Sequence, residues 1–218
     1  MQPYNGKINM GGKYLPFYGW STVAMVNGST NTDDTVPLYL GTLGFVEDFI
    51  KNDAILSSYF SALPTDSYHV TVCNIWCNGQ PLLKHQEKFL LEKYPQEQAW
   101  DFYRKSQQIG FFNPDFCING LLHEMSKVIQ PGGTELIIKE VYFSGSTLGI
   151  SFSPNSDTSK LDRCREDSIR VAELGDEARI PYHLTLAYNY RDVDVSTITP
   201  KLRELNERLR GRPVRLWV

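Results

Sequence analysis

One short pattern occurs twice in the chain, as Tyr68-His69-Val70-Thr71-Val72 and as Tyr182-His183-Leu184-Thr185-Leu186. Side chains alternate faces along a strand, so His69 and Thr71 share one face while Tyr68, Val70 and Val72 take the other; the second copy divides the same way. Each segment offers an imidazole and a hydroxyl to one face and an apolar row to a core. The same parity carried forward puts Cys73 and Ala187 on the polar face, where small residues would leave room for a ligand, and puts Trp76 on the core face. Imidazole titrates nearer neutrality than other side chains. In a pair, one can take a proton from an attacking oxygen while the other gives one to a departing oxygen, which is what in-line displacement at a phosphodiester requires. One ring must then be neutral and the other protonated, and mutual repulsion of two imidazolium charges in one cleft favours that state. The threonine hydroxyls can donate hydrogen bonds to non-bridging phosphoryl oxygens as charge collects there. For either unit alone, the ordinary alternative is a half-buried strand histidine bonded to a neighbouring hydroxyl.

The other chemistry-bearing residues offer less. His85 sits in the charged run Lys84-His85-Gln86-Glu87-Lys88 and His123 lies off an apolar helical stripe, so both are expected at the surface. The four histidines show no metal-ligand spacing, and His123-Glu124 does not reach a second His. Neither a metal nor another cofactor is expected. Cys73, Cys77, Cys117 and Cys164 form no C-x-x-C pair and read as reduced thiols. Gly12-Lys13 lacks the remainder of a phosphate-binding loop, and Gly145-Ser146-Thr147-Leu148-Gly149 has Thr where a serine hydrolase needs Ser.

Five segments have the composition of strands to position these residues: Phe17 to Val26, Tyr68 to Trp76, Glu135 to Phe143, Thr147 to Phe152 and Tyr182 to Tyr190. Ser144-Gly145-Ser146 reads as a hairpin turn. Helical stripes run through Ile118, Leu122, Met125 and Ile129, more weakly through Leu161, Cys164 and Val171, and through Ile198, Leu202, Leu205 and Leu209. Thr199-Pro200 is expected to start the last helix and Gly211 to stop it, with Arg203, Arg208, Arg210, Arg212 and Arg215 complementing its C-terminus. The polar stretch from Asn78 to Asp115 reads as a helical excursion or a surface insertion. The parity of the later strands makes Thr147 and Ser151 candidate substrate contacts, beside Tyr18 and Trp20 on the first.

With 41% hydrophobic residues, 218 positions can bury a core as one large domain or two interlocked lobes. The balance of 22 Lys and Arg against 25 Asp and Glu, a net charge of −3, argues against gripping long duplex nucleic acid through many phosphates. A short, enclosed nucleotide is compatible with it. No apolar run is long enough for a membrane span and residues 1 to 7 hold no apolar signal region, so a cytoplasmic protein without membrane partners is expected.

Two H-x-T motifs on strands half a chain apart resemble the 2H phosphoesterase superfamily, which includes RNA-ligase-like cyclic phosphodiesterases and enzymes that cut 2',5'-linked or cyclic nucleotides. The Phe17 to Val23 strand, the Leu63-Pro64-Thr65-Asp66-Ser67 approach to the first motif and the Ala187-Tyr188 run after the second extend the likeness over roughly residues 12 to 210. The resemblance implies an α+β fold of two pseudo-symmetric lobes, each an antiparallel sheet backed by helices, around a central cleft. Residues 1–11 would be an N-terminal segment and 12–218 the bilobal domain. It implies metal-independent cleavage of a small nucleotide phosphodiester, a cyclic phosphate, a 2',5'-oligonucleotide or a cyclic dinucleotide, with His69 and His183 catalytic and Thr71 and Thr185 beside them. The alternatives are a nucleotide- or RNA-binding module with the same cleft and no turnover, and a structural protein whose H-x-T strands are fortuitous.

Overall fold

In the computed structural model, which describes residues 3–15, 19–26, 41–77, 80, 83–93 and 119–218, the runs of alternating β-branched and aromatic residues form strands. The order is β1 (Pro3–Asn5), β2 (Ile8–Asn9), β3 (Gly19–Val26), α1 (Val46–Asn52), α2 (Leu56–Tyr59), β4 (Phe60–Ala62), β5 (His69–Cys77), α3 (Lys84–Lys93) and α4 (Asn119–Val128). There follow β6 (Gly133–Phe143), β7 (Thr147–Phe152), α5 (Ser159–Ala172), β8 (His183–Asn189), α6 (Val195–Leu209) and β9 (Pro213–Trp217). The fold is α+β. The short β1, β2, β4 and β9 had no counterpart among the expected strands. The excursion expected between Asn78 and Asp115 falls mostly outside the described residues; α3 is the described part of it.

Among the described residues, seven strands form one antiparallel sheet in the order β4-β8-β5-β3-β9-β6-β7, and β7 pairs again with β8, so the hydrogen-bonded circuit closes. The closure is uneven. β3 and β5 pair from Gly19↔Cys77 to Met25↔His69, and β7 and β8 from Thr147↔Tyr188 to Ser151↔His183. By contrast β5 meets β8 through Val70↔Leu184, and β3 meets β9 through Met25↔Trp217 and Val26↔Leu216. These short junctions divide the sheet into a β3–β5 arm backed by α5 and a larger arm of β4, β6, β7, β8 and β9, in which α6 backs β6 and α1 packs on β4. The antiparallel, helix-backed architecture expected from the resemblance is present, its arms hydrogen-bonded into one sheet.

One face of the sheet is apolar. Val70 and Val72 on β5, Leu184 and Leu186 on β8, Leu148 and Ile150 on β7 and Leu136 and Ile138 on β6 join Leu161, Ile198, Leu205 and Leu209 from the helices in one buried cluster. The stripe on α5 looked weak because two polar residues, Arg165 and Ser168, are buried within it. Ser168 donates back to the Cys164 carbonyl at 2.8 Å and shares a 2.9 Å hydrogen bond with Thr22, which removes the cost of leaving its hydroxyl unpaired. The last helix starts a turn earlier than Thr199-Pro200 suggested. Asp194 Oδ1 accepts from the Ser196 N–H at 2.9 Å and its Oδ2 from the Thr197 hydroxyl, a stronger cap that leaves Pro200 inside the helix. The stop stands: α6 ends at Leu209, and Gly211 turns the chain at φ +76°. Of the arginine cluster, Arg215 lies on β9, while Arg208 stacks 3.6 Å over Phe45.

Candidate functional site

The opposite face of the sheet lines a cavity of about 620 Å³ into which both motifs open. His69, Thr71, His183 and Thr185 all line it. Each histidine is held the same way. His69 Nδ1 lies 2.7 Å from the Ser67 carbonyl and His183 Nδ1 lies 2.9 Å from the Pro181 carbonyl, each two residues upstream. A carbonyl can only accept, so both Nδ1 atoms carry the proton and donate, and Nε2 is the nitrogen left for a substrate. The approach to His69 is itself fixed: Glu47 accepts from the Thr65 N–H at 2.7 Å and pairs with Lys51, and this pairing holds its carboxyl below the ordinary carboxylate range.

The two motifs cross. Antiparallel pairing at Val70↔Leu184 puts Thr71 on the His183 side and Thr185 on the His69 side, so each imidazole is neighboured across the junction by the other motif's hydroxyl. A phosphoryl group between the strands would therefore meet a ring nitrogen and a hydroxyl at each side.

Simple alternation fails just beyond the motifs, and in the same way on both strands. On β5 the register runs Val23↔Thr71 and then Thr22↔Cys73, leaving Val72 as the extra residue of a β-bulge. On β8 it runs Gly149↔Thr185 and then Leu148↔Ala187, leaving Leu186 extra. The bulge turns Cys73 and Ala187 into the core, where both are 0% exposed, correcting the expectation that they face the ligand. Burial pushes the Cys73 thiol up to about 11. In their place Asn74 and Tyr188 reach the cavity, at the same sequence separation from their histidines. A second bulge, at Ile75, returns Trp76 to the core face, as parity alone had placed it.

Of the weaker candidates, Thr147 lines the cavity opposite Tyr188, and Ser151 pairs with His183 on the same face and donates at 3.4 Å to Glu140 without lining the cavity. Trp20 does not join the site. It is the cross-strand partner of Trp76, packs on it at 5.6 Å and belongs to a separate apolar cluster with Leu121 and Met125. Tyr18 lies outside the described residues. His123 is exposed on α4, as expected; the His85 side chain is not among those described. Among the described residues, no group of His, Cys, Asp and Glu comes together in a form that could hold a metal ion, and no helix is long and apolar enough to cross a membrane.

Sequence reasoning missed Lys7, Asn74, Tyr142 and Tyr188, and read Ser144 and Ser146 only as a turn. Lys7, from the segment set apart at the N-terminus, sits in the turn between β1 and β2 and donates to the Tyr188 hydroxyl at 3.0 Å. Tyr142 is paired with Gly149, and a Cβ on Gly149 would lie 3.3 Å from the tyrosine ring. The glycine thus makes room for an aromatic ring in the row of Thr185. The bulge residues were legible only as apolar-small pairs, Val72-Cys73 and Leu186-Ala187.

Arg165 ties the arrangement together from the core side. The residue is 9% exposed, and its guanidinium donates to the carbonyls of Val72 and Ile180 at 2.7 Å each and lies 3.9 Å over the Tyr182 ring. Val72 is the bulge of the first motif and Tyr182 immediately precedes the second histidine.

No protein-family model matches the chain. It is 25% identical over 197 residues to "Uncharacterized protein 127L" of Invertebrate iridescent virus 6, covering 88% of this chain and 75% of the viral protein. Among solved structures, the conserved protein of unknown function ATU0111 from Agrobacterium tumefaciens str. C58 superposes with a TM-score of 0.53 at 13% identity. That superposition covers 98% of this chain and 86% of the other, and it shows a shared fold.

Proposed function

We propose that the protein is a 2H-type phosphoesterase: a metal-independent phosphodiesterase that cleaves a small nucleotide phosphodiester by two-histidine acid-base catalysis. The observation that carries the reading is the matched pair of imidazoles. Both have Nδ1 committed to a backbone carbonyl two residues upstream, which leaves Nε2 for a substrate, both line one cavity, and each stands beside the other motif's threonine.

The chemistry follows from that pairing. The neutral imidazole accepts the proton of the attacking oxygen at Nε2; the protonated one gives its Nε2 proton to the leaving oxygen as the P–O bond breaks. Thr71 and Thr185 donate to the non-bridging oxygens, where negative charge develops. The cavity lining supports an anionic substrate, since it includes Lys7 and the two histidines and no Asp or Glu among its described residues. Tyr142 and Tyr188 supply aromatic surface for a base. The substrate class is a 2',3'-cyclic phosphate, a 2',5'-linked oligonucleotide or a cyclic dinucleotide.

A chromatographic screen of cyclic phosphates, linear 2',5' and 3',5' dinucleotides and cyclic dinucleotides, run in excess EDTA, tests the reading. Turnover of at least one class is expected. Nucleotide-dependent thermal stabilisation without turnover would replace it with a binding module, and neither effect with any compound would leave a structural protein.

A further inference from the structure

The cleft is polar in a directional sense, and the direction bears on what it binds. Three rows cross the β8–β7 surface. Tyr188 pairs with Thr147; Thr185 pairs with Gly149, which pairs with Tyr142; His183 pairs with Ser151, which pairs with Glu140. Glu140 therefore stands in the His183 row, tied to Ser151 and to Lys139. At the other end, Lys7 reaches over from the β1–β2 turn to the Tyr188 hydroxyl and lies 5.3 Å from that ring's centre. Tyr188 is positioned from behind by Tyr14, whose ring meets it edge-on at 6.1 Å and whose own hydroxyl donates to the Ser61 carbonyl. Ser144, Ser146 and Thr147 line the same cavity from the β6–β7 hairpin.

A cation at one end orients any substrate that carries negative charge beyond the scissile phosphate. We propose that the Lys7–Tyr188 end is a second anion site, which takes a phosphate adjoining the diester under attack, so that the preferred substrates are nucleotides with at least two phosphates. The inference rests on the phosphodiesterase reading and adds a substrate class to it. Tyr188 lies two residue steps beyond Thr185 once the bulge is discounted, about 7 Å along the strand at roughly 3.4 Å per step. One nucleotide unit spans that step. Tyr188 holds the Lys7 ammonium in place, and the β6–β7 hairpin places neutral hydroxyl-bearing residues around it. A 2',3'-cyclic mononucleotide leaves the site unused, whereas a 5'-phosphorylated dinucleotide fills it.

The test compares 2',5'- and 3',5'-linked diadenylates with and without a 5'-terminal phosphate, on wild type, Lys7→Gln, Lys7→Arg and Tyr188→Phe. Wild type should favour the phosphorylated form of the cleaved linkage by about tenfold in kcat/KM, carried by KM, the scale of one charge-assisted contact. Lys7→Gln should level the two forms, Lys7→Arg should keep most of the preference, and added salt should erode it. A wild type that cleaves both forms equally, or a preference that survives Lys7→Gln, overturns the second site and leaves the phosphodiesterase reading standing. If wild type neither binds nor cleaves any diadenylate or cyclic nucleotide, both fall together.

Discussion

Val70 on β5 lies opposite Leu184 on β8, and each is the residue between the histidine and the threonine of its own motif. An approximate two-fold relation between the motifs passes through that pair. It accounts for the crossed neighbours, His69 with Thr185 and His183 with Thr71. It also accounts for the bulges that follow at Val72 and Leu186, at equal distance from the junction. That pair is the β5–β8 register, and residues of both strands line the cavity.

Arg165 is the tie that should matter most to the fold around the site. Replacing it with Met removes the donors to the Val72 and Ile180 carbonyls and the stacking on Tyr182. A loss of about 2 kcal/mol or more in urea unfolding is expected, since each buried carbonyl left unpaired costs about 1–3 kcal/mol. A variant within about 0.5 kcal/mol of wild type, an ordinary surface effect, would show that the guanidinium is not holding the two motifs.

Gly149 should tolerate Ala better than Val. A Cβ there meets the Leu184 carbonyl at 3.3 Å and the Tyr142 ring at 3.3 Å, so Ala needs a small shift while Val must displace the ring from the cavity. If Tyr142 stacks on the base, Gly149→Val should raise KM about tenfold with kcat changed less, in line with about 1–3 kcal/mol for one stacking contact. Unchanged KM in a folded Gly149→Val protein would remove Tyr142 from the binding surface.

Acid stability should depend on Asp53. Burial works to raise its carboxyl, but the Lys201 ammonium at 2.8 Å and the Leu56 and Ile55 N–H groups outweigh it and hold the group below its ordinary value. A depressed carboxyl contributes stability above its unfolded value, about 3.9, and loses that contribution as pH falls through the lower folded value. Asp53→Asn should therefore lower Tm at pH 7 and show a shallower decline below about pH 4. Parallel Tm curves for the two proteins across that range would mean that another group governs the acid limb.

Much of this was legible in the residues. The H-x-T pairs and the apolar rows behind them follow from a period of two, which holds while a strand pairs residue for residue. It could not foresee Cys73 and Ala187, because a bulge is set by the partner strand's register and not by local alternation. Trp20 read as a pocket residue because an aromatic on a strand near the motif fits either face; its contact with Trp76 became visible only once β3 was aligned on β5. Lys7 was out of reach for a different reason. A two-residue strand and its turn carry too few positions to show periodicity, and the contact with Tyr188 joins residues at opposite ends of the chain.

The central claim is that His69 and His183 act as one acid-base pair without a metal. Its most direct test is the single-turnover rate, in excess EDTA, of wild type, His69→Ala, His183→Ala and the double variant on whichever nucleotide the screen identifies. Each single variant should lose at least about a hundredfold while remaining folded. The double should be scarcely slower than either, because removing one partner already disables the pair. Near-normal turnover in either single variant, or activity abolished by EDTA and restored by Zn²⁺ or Mn²⁺, would contradict the claim.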